Sequence, residues 1–252
     1  MVAPRARRHL RGKRGTDLAR FMQSGQRARV NRMSRRLESA YGRPGPGQPK
    51  DPLSELIFTV LSQNTSDLNR DRAWASMWEA FASWEEIARA PRARLRRSIR
   101  VGGLSATKSR VIQEILLRVR SDQGGHHLEA LRRMTMDEVE AYLREFRGVG
   151  LKTIRCVQVF SLGQPAFPVD THIHRITRRL GLAPAVATPE VVHRIMQAIT
   201  PPQDVLPFHI NLITLGRRVC KPAKPRCPEC VLRALCRYGR HAAASMVPGS
   251  KN

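Results

Sequence analysis

The stretch FRGVGLKT, residues 146–153, decides the fold. Two glycines bracket a valine and are followed by a lysine and a threonine, which imitates a phosphate loop. A Walker-type loop needs Gly-Lys-Ser/Thr contiguous after a strand, so that successive amides curl around the phosphates. Here Leu151 separates Gly150 from Lys152, and the residues before the turn follow a helical pattern. The nucleotide reading fails, and helix, Gly-x-Gly turn, helix remains. Two glycines allow a sharp backbone turn, and amides at the start of the second helix point at a phosphate oxygen. A plain interhelical turn has the same signature, so companions elsewhere in the chain must decide.

Outward from this turn the periodicity is helical, and strand signals are almost absent. Asp51 and Pro52 read as the cap and first residue of a helix with Leu53, Leu56, Ile57, Val60 and Leu61 on one face. Thr135 and Glu138 form a capping box before Val139, Tyr142, Leu143 and Phe146. Thr188 and Pro189 open a helix carrying Val192, Ile195, Met196 and Ile199. Residues 153–162 are apolar nearly all round and predict a buried central helix, in which Cys156 is a core residue. A short helix is expected over roughly 27–41, a linker at 42–49 (GRPGPGQP) and a loop near 121–127. VGGLSATKSRVI, 101–112, is a local echo of the glycine turn, again leading into an amphipathic helix. The class is all-α.

The 252 residues carry 45 Arg and Lys against 20 Asp and Glu, a net charge of +25. A fold does not need that excess, and a polyanion, most often nucleic acid, is the partner it fits. Residues 1–47 contribute +11 of it, from 13 basic residues against Asp17 and Glu38. Only 7 of the 45 basic residues are lysines, which sets Lys152 apart from background basic decoration. No apolar run approaches the roughly 18 residues of a membrane span, and no secretory signal is expected at the N-terminus. No membrane association is expected, and a bacterial, nucleoid-associated cytoplasmic location is the default.

Eighteen residues after Lys152 comes VDTHIHRI. Asp170 is placed to cap a helix of Ile173, Ile176 and Leu180 that Gly181 closes. Capping alone would explain it, yet a carboxylate at a helix mouth and a hairpin lysine also make a nucleophile–base pair. His172 and His174 diverge on a helix and cannot form a same-face metal pair; they read as structural or phosphate-facing. Near the C-terminus, Cys220, Cys227, Cys230 and Cys236 have the spacing C-x6-C-x2-C-x5-C. Four thiolates within 17 residues suit one polynuclear centre such as a 4Fe–4S cluster, or a single zinc ion. Lys221, Lys224 and Arg226 make the loop between the first two ligands cationic and suited to phosphate.

Hairpin lysine, VDTH aspartate and cysteine spacing together resemble the endonuclease III family of helix–hairpin–helix DNA glycosylases, over about residues 27–238. The cysteine spacing is shared with adenine-specific relatives, and Lys152 separates the two. The resemblance implies two helical domains: a six-helix barrel with the helix–hairpin–helix, 54–164, and an iron–sulfur domain of 165–252. To the latter, 27–53 contributes a helix and linker, and 1–26 is expected to be a disordered basic arm. It further implies a 4Fe–4S cluster on the four cysteines and double-stranded DNA with damaged or abasic sites in the cleft between the domains. Lys152 and Asp170 are then catalytic. DNA contacts are expected from Arg147, Gly148, Val149 and Gly150, from Gln63, Asn64 and Thr65, and from Lys221, Lys224 and Arg226. A monomer is expected. The implied activity is removal of oxidised pyrimidines with AP lyase cleavage. The alternatives are a monofunctional adenine or uracil/thymine mismatch glycosylase, and a DNA-binding homologue with little catalysis. Two departures stand out: Phe146-Arg147 replaces the usual Leu-Pro of the hairpin, and Asn64 replaces a usual glutamine.

Overall fold

The structure, a computed structural model, describes residues 21, 24–45 and 47–244. The basic arm expected at 1–26 lies outside the described residues except for its last few positions. Among the described residues all regular structure is helical. In chain order the α-helices are α1 (Ser24–Tyr41), α2 (Pro52–Leu61), α3 (Asp67–Ala80), α4 (Trp84–Arg89), α5 (Arg92–Ser98), α6 (Ser105–Gln123), α7 (Met136–Arg144), α8 (Leu151–Cys156), α9 (Thr171–Leu180), α10 (Pro189–Ile199), α11 (Val205–Arg218) and α12 (Arg237–Ala244). No helix is long and apolar enough to cross a membrane among the described residues.

The chain divides into two compact units, one of residues 1–45 and 169–252, the other of 46–168. The divisions fall at 45/46 and 168/169, not at the expected 53/54 and 164/165. The cause at the first is local. The Lys50 carbonyl accepts from Ser161 Oγ at 2.7 Å, and the Lys50 ammonium lies 4.2 Å from the Phe58 ring centroid. Asp51 then caps α2 through Ser54 N at 2.9 Å, so 47–53 belongs with the helices that follow.

In the 46–168 unit, α2 is the central element: Leu53, Leu56, Ile57, Val60 and Leu61 are all fully buried. Around it pack Ala73 and Met77 of α3, Ile112, Ile115 and Leu116 of α6, Val139 and Leu143 of α7, and Ile154 of α8. Each such aliphatic side chain contributes about 1.5–3 kcal/mol by leaving water. The capping box forms as expected, Thr135 and Glu138 bonding reciprocally, although Tyr142 on the same helix is only half-buried. Three sequence expectations change in detail. α1 begins at Ser24. α6 runs through the expected loop as far as Gln123, ended by Gly124 at φ +72°. The buried 153–162 segment is not one regular helix, because after Cys156 the backbone widens into a π-helical turn, Val157–Ser161. Gln158 inside that turn is fully buried; its amide donates to Met136 O at 2.7 Å and accepts from Arg155 at 2.9 Å. Cys156 is buried in the core, as expected.

In the other unit, the inner faces of α1 (Val30, Met33, Leu37), α9 (Ile173, Ile176, Leu180), α10 (Val192, Ile195, Met196, Ile199) and α11 (Phe208, Leu212, Leu215) make the core. The cysteine loop and α12 follow α11.

Candidate active site and nucleic-acid interface

The hairpin is built from the turn between α7 and α8. Gly148 sits at φ +82°, a left-handed conformation that favours glycine, and a Cβ there would lie 2.8 Å from Val111 Cγ2 of α6. Gly150 is different: φ is −92° and nothing lies within 4 Å of its Cβ position. It is the open N-cap of α8, whose first amides have no helical acceptor. Arg147 is exposed, while the Val149 side chain is buried, 6% exposed, against the core. Of the expected contacts at 147–150, Val149 therefore has only main chain to offer.

Lys152 is the second residue of α8 and half-buried. Its Nζ donates to Ser62 Oγ at a long 3.4 Å, and it makes no ion pair among the described residues. Ser62 Oγ itself donates to Thr59 O at 2.7 Å, so it meets the amine with a lone pair. One residue on, Gln63 Nε2 donates to Gly148 O at 3.2 Å. The end of α2 is thus tied to both the turn and the lysine of the hairpin. Below it, Glu55 is 7% exposed and accepts from Thr59 Oγ1 at 3.0 Å. Burial pushes its carboxyl pKa up, against the Thr59 bond and the fields of Lys50, Lys152 and Arg70.

Asn64 is exposed at φ +50°, where asparagine is among the better-tolerated residues, and Thr65 is half-buried. Leu104 went unrecognised in the sequence. It precedes α6 at φ +47°, and 55% of its surface is exposed, with Val101 beside it in the same turn 41% exposed. A leucine in a left-handed conformation is costly. The glycine-rich echo at 101–112 was the available signal.

Asp170 caps α9, its Oδ1 accepting from Ile173 N at 2.7 Å, and Gly181 closes the helix at φ +74°. His174 Nε2 is 2.7 Å from Ala187 O and His172 Nδ1 is 3.1 Å from Arg175 Nη2. Each ring thus has a partner within its own unit. Burial pulls the His172 pKa down, against Asp170.

The four cysteines are free of disulfides and surround one pocket with Arg179, Val219, Pro225, Arg233, Tyr238 and Gly239. Among the described residues no three His, Cys, Asp or Glu side chains converge as a ready-made site for a metal ion. The pocket's donors nonetheless fit a thiolate-ligated group. Arg179 Nη1 donates to Cys220 Sγ at 3.3 Å, and Gly239 N to Cys236 Sγ at 3.3 Å. Burial, then the neighbouring thiols, push the Cys230 pKa up to about 11. α9 braces the loop from outside. Arg175 donates twice to Cys220 O, at 3.1 and 2.9 Å, and Arg179 to Lys221 O and Pro222 O, both at 2.7 Å. Lys221 and Lys224 are exposed and make no ion pair among the described residues. Arg226, expected to face phosphate, is exposed as well; it pairs with Glu229 at 3.0 Å and donates to Arg218 O.

Residues 57–202 match the HhH-GPD superfamily of base excision DNA repair proteins. Endonuclease III of Thermotoga maritima is 34% identical over 190 residues, 75% of this chain and 84% of that protein. The chain belongs to the endonuclease III family. An Arabidopsis thaliana chain named as a DNA glycosylase is 36% identical over 173 residues, 68% of this chain, which spans only 58% of that relative. Among solved structures, a trapped endonuclease III–DNA covalent intermediate superposes with a TM-score of 0.74 at 27% identity, over 86% of this chain and 98% of the other. The family match therefore includes the hairpin and the VDTH segment, and it places the chain in the helix–hairpin–helix class of base excision DNA repair proteins.

Proposed function

We propose that this endonuclease III relative is a bifunctional glycosylase and AP lyase that removes oxidised pyrimidines from double-stranded DNA. The observation that carries the reading is Lys152: an amine in the first turn of α8, separated from the Gly-x-Gly turn by Leu151, held by one hydroxyl and, among the described residues, by no carboxylate. A target nucleotide must leave the stack before its glycosidic carbon can be reached, and a damaged base costs least to extrude. Leu104 has the exposure and apolar character of the wedges that proteins insert between base steps. The Lys152 amine, in its neutral form, attacks the anomeric carbon. The base departs with the electron pair of the glycosidic bond, and ring opening leaves a Schiff base. Loss of a proton from the adjacent sugar carbon then expels the 3′ phosphate. The Asp170 carboxylate stabilises positive charge on the sugar and accepts a proton.

Cys220, Cys227, Cys230 and Cys236 would hold a 4Fe–4S cluster, whose contribution in this reading is to fix the loop carrying Lys221 and Lys224. Those lysines, Arg147 and the α8 amides then contact phosphate.

Borohydride trapping on abasic and thymine-glycol duplexes tests the proposal. The native protein should form a covalent adduct with both, and Lys152→Ala with neither, while duplex affinity stays within roughly a few-fold because phosphate contacts dominate it. Base release without any adduct would instead indicate a monofunctional glycosylase.

A further inference from the structure

Lys108, the fourth residue of α6, is used by none of the chemistry above, yet only 2% of its surface is exposed. No carboxylate pairs with it among the described residues. Its Nζ donates to two main-chain carbonyls from different elements, Leu61 O at 2.7 Å and Gly102 O at 2.8 Å. A buried ammonium is expensive unless its hydrogen bonds are made, and burial pulls this one down to a pKa of about 8.

The two carbonyls explain why such a group would be kept. Leu61 ends α2, where last-turn carbonyls have no helical donor. The next two residues, Ser62 and Gln63, are those that hold Lys152 and Gly148. Gly102 belongs to the turn that presents Leu104. That turn is tight and strained: a Cβ on Gly102 would lie 3.0 Å from Ala73 Cβ, and Leu104 is left-handed. A strained conformation persists only where its surroundings over-determine it. An apolar side chain would fill the space of Lys108 but leave both carbonyls unsatisfied. Three residues further along α6, Val111 packs against Gly148.

We propose that Lys108 is a positioning residue for base extrusion, clamping the Leu104 turn to the end of α2 so that the wedge is rigid when the target nucleotide leaves the stack. The inference rests on the glycosylase/lyase reading, with Leu104 as the wedge.

The test compares single-turnover rates of the full chain on three duplexes: thymine glycol in a normal pair, thymine glycol in a pre-opened bulge, and a ready-made abasic site. Lys108→Met should lower the rate on the paired lesion by about tenfold or more, change abasic cleavage by less than about twofold, and regain most of the loss on the bulge. Lys108→Gln, whose amide offers two N–H donors, should regain part of the paired-lesion rate. In the Gln variant the amides of residues 102–106 should also exchange faster than in the native protein. If Lys108→Met does not fold, the Gln variant carries both measurements. Equal losses on all three duplexes, or unchanged exchange at 102–106, would overturn the clamp. A native protein that excises and traps normally while the ratios stay flat sinks this inference alone. Absence of any adduct with the native protein sinks the lyase reading beneath it.

Discussion

A methyl group on Gly148 would lie 2.8 Å from Val111 Cγ2, so the hairpin turn and α6 meet at a distance that only glycine permits. Gly148→Ala adds this overlap to an unfavourable left-handed backbone and should cost about 2–4 kcal/mol of stability. Gly150→Ala meets open space at an ordinary φ and should stay within about 0.5 kcal/mol. In the proposed reading it should nonetheless weaken duplex binding, since the added methyl would stand in the open space through which a phosphate would reach the α8 amides. Urea melts and anisotropy titrations of both variants separate the two roles; similar stability losses would refute the packing argument.

Asp170 performs its capping through Oδ1 alone. Asparagine caps about as well as aspartate, so Asp170→Asn should melt within about 0.5 kcal/mol of the native protein. Its turnover should fall by about 100-fold or more, the scale of a lost acid–base group. Undiminished turnover would reduce Asp170 to a cap.

Lys108 gives stability a pH dependence with a definite sign. Its pKa is about 8 in the folded chain and about 10.4 when unfolded. Between these values the unfolded chain binds more protons, so stability rises with pH. The cost of burying the charge is fully present below about pH 8 and relieved towards pH 10.4. The span corresponds to about 3 kcal/mol. Comparing the native protein with Lys108→Met across pH 7.5–10.5 isolates the effect, and parallel stability curves would contradict it.

Purified without oxygen, the protein should be brown and contain about four iron and four sulfide per chain. Arg179→Ala removes the guanidinium bonded to Cys220 Sγ and to two loop carbonyls, and should bleach faster in air. One zinc and no iron would replace the cluster assignment.

Asn64 separates backbone from side chain. At φ +50°, Asn64→Gly should keep stability within about 0.5 kcal/mol, whereas Asn64→Gln should lose about 1 kcal/mol. If the amide substitutes for a lost base in the vacated pair, the Gly variant excises more slowly while abasic cleavage holds. Equal rates on both substrates would leave Asn64 a turn residue.

What was legible in the sequence was what neighbours in the chain decide. Asp51, Thr135 and Asp170 cap the helices expected of them because capping is settled within three residues. The apolar faces of α2 and α10 are buried as their spacing indicates. The overlap of Gly148 with Val111 and the burial of Lys108 depend on α6 arriving from elsewhere, and lysine is ordinarily an exposed residue. The π-helical turn after Cys156 was hidden for another reason. Gln158 finds its partners at Met136 and Arg155, and a composition that is apolar nearly all round gives no sign of this.

Helix α9 begins with the Asp170 cap, and its Arg175 and Arg179 grip the main chain of the cysteine loop. For anyone recombining this chain with a relative, α9 and the cysteine loop, through Gly239 whose amide bonds to Cys236 Sγ, are therefore best moved together. A crossover between α9 and the loop would join arginines shaped for one set of carbonyls to another. It would weaken the loop even with all four cysteines retained, whereas a crossover before Asp170 keeps those arginines with their own carbonyls.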